Sequence, residues 1–483
     1  MTRQLDSTSP LQALDPDDLA RLGRIPDEEQ RGIAFRELLR RHGRSEVITD
    51  LSIAENALLY PLLQERVFSA LPHPLPQRST RYVSPQDTQQ LTAAMAVQLS
   101  ASFGAPVDPE DVYPTAGVAA ALEIIALALQ TPTRDNAVPA PRGADTSPVP
   151  RGSNVLIPAP YWQGFNWSFE EVPGLHCVPV PTYKPGADTF ELTVDDLEKA
   201  YQDCGEQPPR LLVLTNPHNP LGGNYDPDLL DAIYDWALAK TPEMHIISDE
   251  IYRHSQLPHT SDRFVSALEL TWRHWARDRV HVVWGFAKDF GLSGFRAGFI
   301  ISPSPYVRQA MTDADDPLEQ RRALSWFSQF DSLKHFYVDP IAALDTSAWH
   351  DLMTEYSANL QVVFRAICET LNQHGIRYHR PQGTNSAQFF WLDLRDFLPH
   401  APRADGLEAI LFGGSADTTD PEQDLAAYLL AEAKVKLLTG ATMHQKDPGG
   451  FYRLCFTAAP PAKVLEAVEN LCTALHKLTP DRP

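Results

Sequence analysis

Five short apolar runs, NVLIPA, HCVPV, RLLVLTN, MHIISDE and RVHVVWG, recur between residues 154 and 285, with helical or turn segments between them. Runs of this length, alternating with helices, predict an α/β fold with a mainly parallel sheet, because parallel strands need a crossover to return to the same edge. Several runs end in groups that are costly to bury without partners: Asn216 and Asn219 after RLLVLT, Asp249 after HIIS, and Lys288 beyond VVWG. The crevice outside the carboxyl ends of such strands is the usual place for a ligand, so one cleft can collect all four. Taken singly, each residue has an ordinary reading: an Asn-Pro turn, a helix-capping aspartate, a solvated lysine. Their joint occurrence gives them weight.

The flanking sequence extends the pattern. VYPTAGVAAALEIIALALQ, from Val112, reads as a strand, a turn at Thr115 to Gly117 and a long helix. Residues 131–154 are rich in proline, glycine and small polar residues and read as a surface insertion. DPLEQRRALSWFSQF and DLMTEYSANLQVVFRAICETLNQHG read as long helices, while SAQFFWLDL and FYRLCFTA read as strands of a smaller α+β domain. Residues 1–50 are polar, with a helical patch at EEQRGIAFRELLRRHG, and read as an arm. A chain of 483 residues is long for one core, which favours two packed regions.

Charge narrows the ligand. With 41 Lys+Arg against 62 Asp+Glu, a broad nucleic-acid or anionic-membrane footprint is excluded, and small charged metabolites are the better candidates. The five cysteines are too dispersed for a disulfide scaffold or a metal knuckle, so no metal is expected and a reducing, cytoplasmic setting fits. The first residues lack the apolar run of a secretory signal, and no later stretch reaches membrane-spanning length without polar interruption.

LTNPHNPLGG, SDEIYRH and AKDFGLSGFRAGF occur in that order, and together they resemble the fold type I pyridoxal-phosphate enzymes, specifically aminotransferase classes I and II. SIAENALLY, VLIPAPYWQGF, NSAQFFWLDLR and DPGGFYRLCFTA are more similar to the 1-aminocyclopropane-1-carboxylate synthase branch. The resemblance covers roughly residues 50 to 475 and implies a large domain with a mainly parallel seven-stranded sheet beside a smaller α+β domain. Its implied division is an arm at 1–50, a dimer-contact region and first part of the small domain at 51–110, a large cofactor-binding domain at 111–330, and the C-terminal small domain at 331–483.

The resemblance also implies roles. Lys288 is the Schiff-base lysine of pyridoxal 5'-phosphate and the base that moves the substrate's α-proton, tasks that need an amine of lowered pKa. Asp249 pairs with the pyridinium nitrogen, Tyr252 and Asn219 contact the phenolic oxygen, and Trp162 stacks on the ring. Gly117, Val118, Ala119 and Arg296 hold the phosphate, the first three through backbone N–H groups at a helix start. Where the family often has a serine three residues before the lysine, this chain has Gly285, so one phosphate-side hydroxyl is missing. Arg453 clamps the substrate α-carboxylate, Glu55 matches a glutamate of the cyclopropane-forming branch, and Tyr82 matches a tyrosine contributed across a homodimer interface.

The expected partner is thus an amino acid or amino-acid derivative. Loss of the α-proton opens several outcomes on one core: transamination, elimination of a β-substituent, or cyclisation with loss of a γ-leaving group. The branch-like motifs favour a lyase, by cyclopropane formation or carbon-sulfur cleavage. An aminotransferase is the alternative, and a binding protein that has lost catalysis a more distant one.

Overall fold

The apolar runs fold as strands, each buried along its whole length where the sequence is continuously apolar, as for LLVLT and VHVVWG. The computed structural model describes residues 18, 21–22, 24–25, 28–41, 48–130, 147–258, 263–271, 277–312, 330–380, 386–404 and 420–479. The chain divides into two units. The larger comprises Leu58–Asn359 and Pro381–Ala387, the smaller Met1–Ala57, Leu360–Arg380 and Gln388–Pro483.

The larger unit holds seven strands in one sheet: β1 (Val112–Thr115), β2 (Asn154–Ala159), β3 (His176–Pro181), β4 (Leu211–Thr215), β5 (His245–Asp249), β6 (Val280–Gly285) and β7 (Gly298–Ile301). Their order is β1-β7-β6-β5-β4-β2-β3. The pairs β6–β5, β5–β4, β4–β2 and β2–β3 are parallel, while β7 runs antiparallel to both its neighbours. The sequence pattern left β7 unread, because four residues opening on glycine carry too little periodicity. Its reversal matters: the start of β7 lies beside the carboxyl ends of β1 and β6, with Gly298 in register with Thr115 and Gly285.

Helix α1 (Pro85–Phe103) begins with a capping box in which Ser84 and Asp87 satisfy each other's backbone N–H groups, and it ends at left-handed Gly104. Helix α2 (Val118–Leu129), an alanine-leucine segment of high helix propensity, buries Ala121, Leu122, Ile125 and Leu129. Beneath the turn that carries Lys288, the buried rings of Phe286 and Phe290 meet at 4.8 Å, and Phe286 meets Trp284 at 5.0 Å. Burying each phenyl contributes roughly 1.5–3 kcal/mol, so the turn is anchored on both sides of the lysine.

In the smaller unit, β8 (Arg377–Tyr378), β9 (Phe389–Asp393), β10 (Leu438–Thr439) and β11 (Phe451–Cys455) form an antiparallel sheet in the order β8-β9-β11-β10. Thr49–Asp50 pairs in parallel with Val435–Lys436, so the end of the expected arm is part of this unit. The helical patch is present as Glu28–Arg41, with Phe35 and Leu38 buried.

Some boundaries differ from those expected. Residues 58–110 and 331–359 group with the larger unit, because α1 packs on β1 and on the helix Ser332–Ala342. Residues 147–150 of the expected surface insertion pack onto the larger unit. Ser147 and Val149 are buried, Val149 N–H bonds Leu129 O, and Arg210 Nε donates to Pro148 O at 2.9 Å. Its residues 131–146, and residues 316–329 of the helix expected at DPLEQRRALSWFSQF, lie outside the described residues.

Candidate active site

The site residues of the larger unit form a row across five adjacent strands. Thr115 ends β1, Gly298 starts β7, Gly285 ends β6, Asp249 ends β5 opposite Val283, and Thr215 ends β4 opposite Asp249. Trp162 follows three residues after the end of β2.

At one end of the row stands the start of α2. Gly117 has φ +92°, a conformation costly for any residue with a side chain, and its N–H donates to Thr115 O at 2.7 Å. That N–H is therefore engaged within the turn, which narrows the expected set of phosphate donors. The first bond inside the helix is Ala121 N–H to Gly117 O, so the N–H groups of Val118, Ala119 and Ala120 point out of the helix start. A Cβ placed on Gly117 would come 2.8 Å from Arg296 Nη2 and 3.1 Å from its Cζ. The guanidinium thus lies against the helix start, where charged donors and the helix dipole together favour an anion. Arg296 is exposed, holds left-handed backbone at φ +50°, and steadies its side chain by donating from Nη1 to Ser293 O at 3.0 Å.

Gly285 now has a physical reason. A Cβ there would meet Ala297 O at 2.6 Å and Gly298 Cα at 2.9 Å, so the close pairing of β6 with β7 excludes a serine at this position. Gly298 is equally confined, because its Cβ would lie 2.7 Å from Gly117 C.

Asp249 is buried, and its Oδ1 accepts from Ile251 N–H at 3.3 Å. Burial pushes its pKa up to about 7, while the Lys288 ammonium pulls it back down. A carboxylate kept from water in this way favours a cationic partner. Tyr252 is 2% exposed in the turn that follows, and Lys288 is half-buried after β6. Asn219 is buried in the loop after β4, within a turn closed by His218 N–H to Gly223 O and Gly222 N–H to His218 O. Asn216 instead has a structural part: Nδ2 donates to Val265 O at 3.2 Å and Oδ1 accepts from Tyr225 N–H. Trp162 lies across Gly164, whose Cβ would meet the indole at 2.1 Å, and its ring packs on Phe165 and Trp167 at 5.7 and 6.0 Å.

Tyr82 is not drawn into this row. Its side chain is fully exposed, at 101%.

In the smaller unit Arg453 is 1% exposed, lies 4.8 Å above the Phe389 ring and donates from Nη2 to Ser52 O at 2.5 Å. Ser52 also receives Lys436 Nζ on its hydroxyl at 3.1 Å, and that hydroxyl donates to Asp50 Oδ1. Glu55 is half-buried in the same segment; its carbonyl accepts from the Thr457 hydroxyl at 2.6 Å, while Ala57 N–H bonds Thr457 O. The segment carrying Glu55 therefore runs beside the strand carrying Arg453.

Sequence reasoning missed the carboxylates that hold these pieces. Glu250 accepts from Ser248, Ser266 and Ala267 N–H at 2.6–2.9 Å, and Asp289 accepts from His254 N–H and the Ser255 hydroxyl. Glu422 accepts from Ala441 and Gly450 N–H, both at 2.9 Å. The available signal was an acidic residue directly beside a site residue in apolar surroundings, as in DE at 249–250 and KDF at 288–290. Among the described residues, no group of three or more His, Cys, Asp or Glu could hold a metal, and no helix is long and apolar enough to cross a membrane.

The sequence profile of the family Aminotransferase class I and II matches residues 48–471. The chain is 28% identical over 334 residues to 1-aminocyclopropane-1-carboxylate synthase CMA101 of Cucurbita maxima, a match spanning 68% of this chain and 62% of that protein. It is 30% identical over 440 residues to the probable aminotransferase aclI of Aspergillus oryzae, spanning 89% of this chain and 91% of that one. Among solved structures, an aromatic aminotransferase from Pyrococcus horikoshii superposes with a TM-score of 0.66 at 21% identity, covering 89% of this chain and 97% of that one.

Proposed function

The chain belongs to the class I and II aminotransferase family of fold type I pyridoxal-phosphate enzymes, and from that premise we propose that it is an amino-acid lyase. In this reading it removes the α-proton of an amino acid or derivative and expels a leaving group, by α,γ cyclisation or by carbon-sulfur cleavage. The residues present fit pyridoxal 5'-phosphate. The α2 start with Arg296 against Gly117 suits its phosphate, and the buried Asp249 carboxylate suits its pyridinium nitrogen. When bound, the cofactor supplies an electron sink for the charge left on the substrate's α-carbon.

The chain's own residues do the rest. Lys288 Nζ carries the α-proton, and its half-buried place after β6 sets its charge near Asp249. Tyr252 Oη and Asn219 orient the phenolic side, and Trp162 offers an aromatic face to the ring. Arg453, with two directional donor faces, takes the substrate's α-carboxylate.

The observation that carries the lyase reading is the bonding of the Glu55 segment along the Arg453 strand, through Ser52 O and Glu55 O. Glu55 and Arg453 lie on that one local framework. The aminotransferase reading has one observation in its favour, the match over 91% of the Aspergillus oryzae protein. Incubation of the pyridoxal-phosphate-loaded chain with S-adenosylmethionine, cysteine conjugates and ordinary amino acids, with and without a 2-oxo acid, separates them. Release of thiol or of a cyclopropane amino acid without an acceptor supports the lyase; acceptor-dependent amino transfer across the panel, without loss of a leaving group, overturns it.

The same proposal includes a homodimer, supported by the full exposure of Tyr82 together with exposed Leu75 and Tyr60 in the same stretch of chain. Sedimentation showing a fully active monomer would reject it. Cytoplasmic residence also belongs to this reading, supported by the wide spacing of the five cysteines along the sequence.

A further inference from the structure

Asp289 directly follows Lys288, is 0% exposed, and has no part in the chemistry set out above. Its Oδ2 accepts from His254 N–H at 2.9 Å and its Oδ1 from the Ser255 hydroxyl at 2.7 Å. Ser255 in turn bonds back to Tyr252, its N–H reaching Tyr252 O at 2.9 Å, and its hydroxyl lies 2.9 Å from Tyr356 Oη. The turn thereby runs from Asp249 through Tyr252 to Ser255 and is cross-linked to the lysine loop by one carboxylate.

Packing makes the cross-link rigid. The His254 ring sits among Trp284, Phe290 and Trp349, with centroids 5.8 to 6.3 Å away, and Phe290 is itself the residue after Asp289. The charged group facing the carboxylate is Arg253, whose Nε donates to Ser102 O at 2.8 Å; His254 is held neutral by burial. Burial raises the pKa of this carboxylate to about 7, against the lowering effect of the Ser255 hydroxyl, the His254 N–H and the Trp284 side chain. A carboxylate is the side chain that can accept on both oxygens here; an amide accepts on one and turns a donor toward the other partner.

We propose that Asp289 is a positioning residue: by bonding the Tyr252 turn to the Lys288 loop, it fixes the spacing between the lysine amine and the tyrosine hydroxyl. This rests on the functional reading above, in which Lys288 binds the cofactor and Tyr252 contacts its phenolic oxygen. Misplacing such groups by about 1 Å can cost on the order of 100-fold in rate, so a partial loosening is expected to cost about 10-fold.

The test uses the full chain loaded with pyridoxal phosphate and compares wild type with Asp289→Asn, Ser255→Ala and, as a control of equal burial at the far end of the strands, His281→Asn. The readouts are the pH midpoint of the visible absorption change, kcat, KM and the thermal midpoint. Asp289→Asn and Ser255→Ala should move the spectral midpoint in the same direction by at least about half a pH unit and lower kcat about 10-fold, with KM held within about twofold. His281→Asn should lower the thermal midpoint alone. If the two test variants lose thermal stability like the control but keep the wild-type spectral midpoint and kcat, the proposal is overturned. Should Asp289→Asn fail to fold, Ser255→Ala decides: a shift supports the proposal and none rejects it. A wild-type chain that takes up no cofactor overturns the functional reading and this inference with it, whereas the stability-only pattern overturns Asp289 alone.

Discussion

The two ends of the seven-stranded sheet each bury an ionisable group, in different company. At the amino ends, His245 and His281 stack with rings 7° from parallel and centroids 5.3 Å apart. His245 Nδ1 lies 3.0 Å from His281 Nε2, and His281 Nδ1 lies 2.8 Å from the Ser302 hydroxyl. Both imidazoles are held neutral by burial, and their bonds run to one another and to a serine. At the carboxyl ends, a buried carboxylate faces a lysine and an arginine lies against a helix start, along a row in which Gly117, Gly285 and Gly298 pack too closely for a side chain. Burial of a titratable group is therefore a weak sign of function. Opposite charges gathered along one row of strand ends are a stronger one.

The comparison breaks first at Lys288. Lys288→Ala should lower turnover on the order of 10²- to 10⁴-fold from the lost proton transfer alone, while His281→Asn keeps it; equal losses in steady-state assays would erase the distinction between the ends. Next, Asp249→Ala should weaken cofactor retention by roughly 3–5 kcal/mol, the usual cost of removing one member of a buried ion pair, as read by equilibrium dialysis. Gly285→Ser comes third. Restoring the family's serine forces a Cβ toward Ala297 O, so urea unfolding should show a loss of about 1–3 kcal/mol rather than tighter phosphate binding.

The last contrast is a pH dependence of opposite sign at the two ends. His281 has its pKa lowered from 6.5 to about 3, so the unfolded chain binds the proton first. Its stability contribution is present above pH 6.5 and declines by about 1.4 kcal/mol per pH unit as pH falls toward 3. Asp249 is raised from 3.8 to about 7, so its contribution in the cofactor-free chain is present below pH 3.8 and declines as pH rises toward 7. In urea titrations of that chain, His281→Asn should flatten the acid limb, and Asp249→Asn should gain on wild type between pH 4 and 7. Parallel curves for all three proteins would contradict the assignment.

These residues also show where the sequence was readable. Strands such as β4 and β6 announce themselves as continuous apolar runs, and their polar ends follow from the sheet's direction. The start of α2 was legible because a glycine before an alanine-leucine helix has a local cause. What the sequence hid depends on distance along the chain: the Gly285 contact with Ala297, the engaged Gly117 N–H, and the bond of Asp289 to Ser255, 34 residues away. The Arg453 framework is harder still, since Arg453 meets Ser52 across 401 residues. Motifs name such residues, but their supports are tertiary.

Reductive trapping tests most directly whether Lys288 is the residue that binds the cofactor. The chain loaded with pyridoxal phosphate is treated with borohydride, digested and mapped by peptide mass spectrometry. The expected result is one stoichiometric pyridoxyl label on Lys288, in the peptide spanning VVWGFAKDFGLSGFR, lost in Lys288→Ala. Stoichiometric labelling of a different lysine, or a wild-type chain that takes no label while folded, would contradict the account.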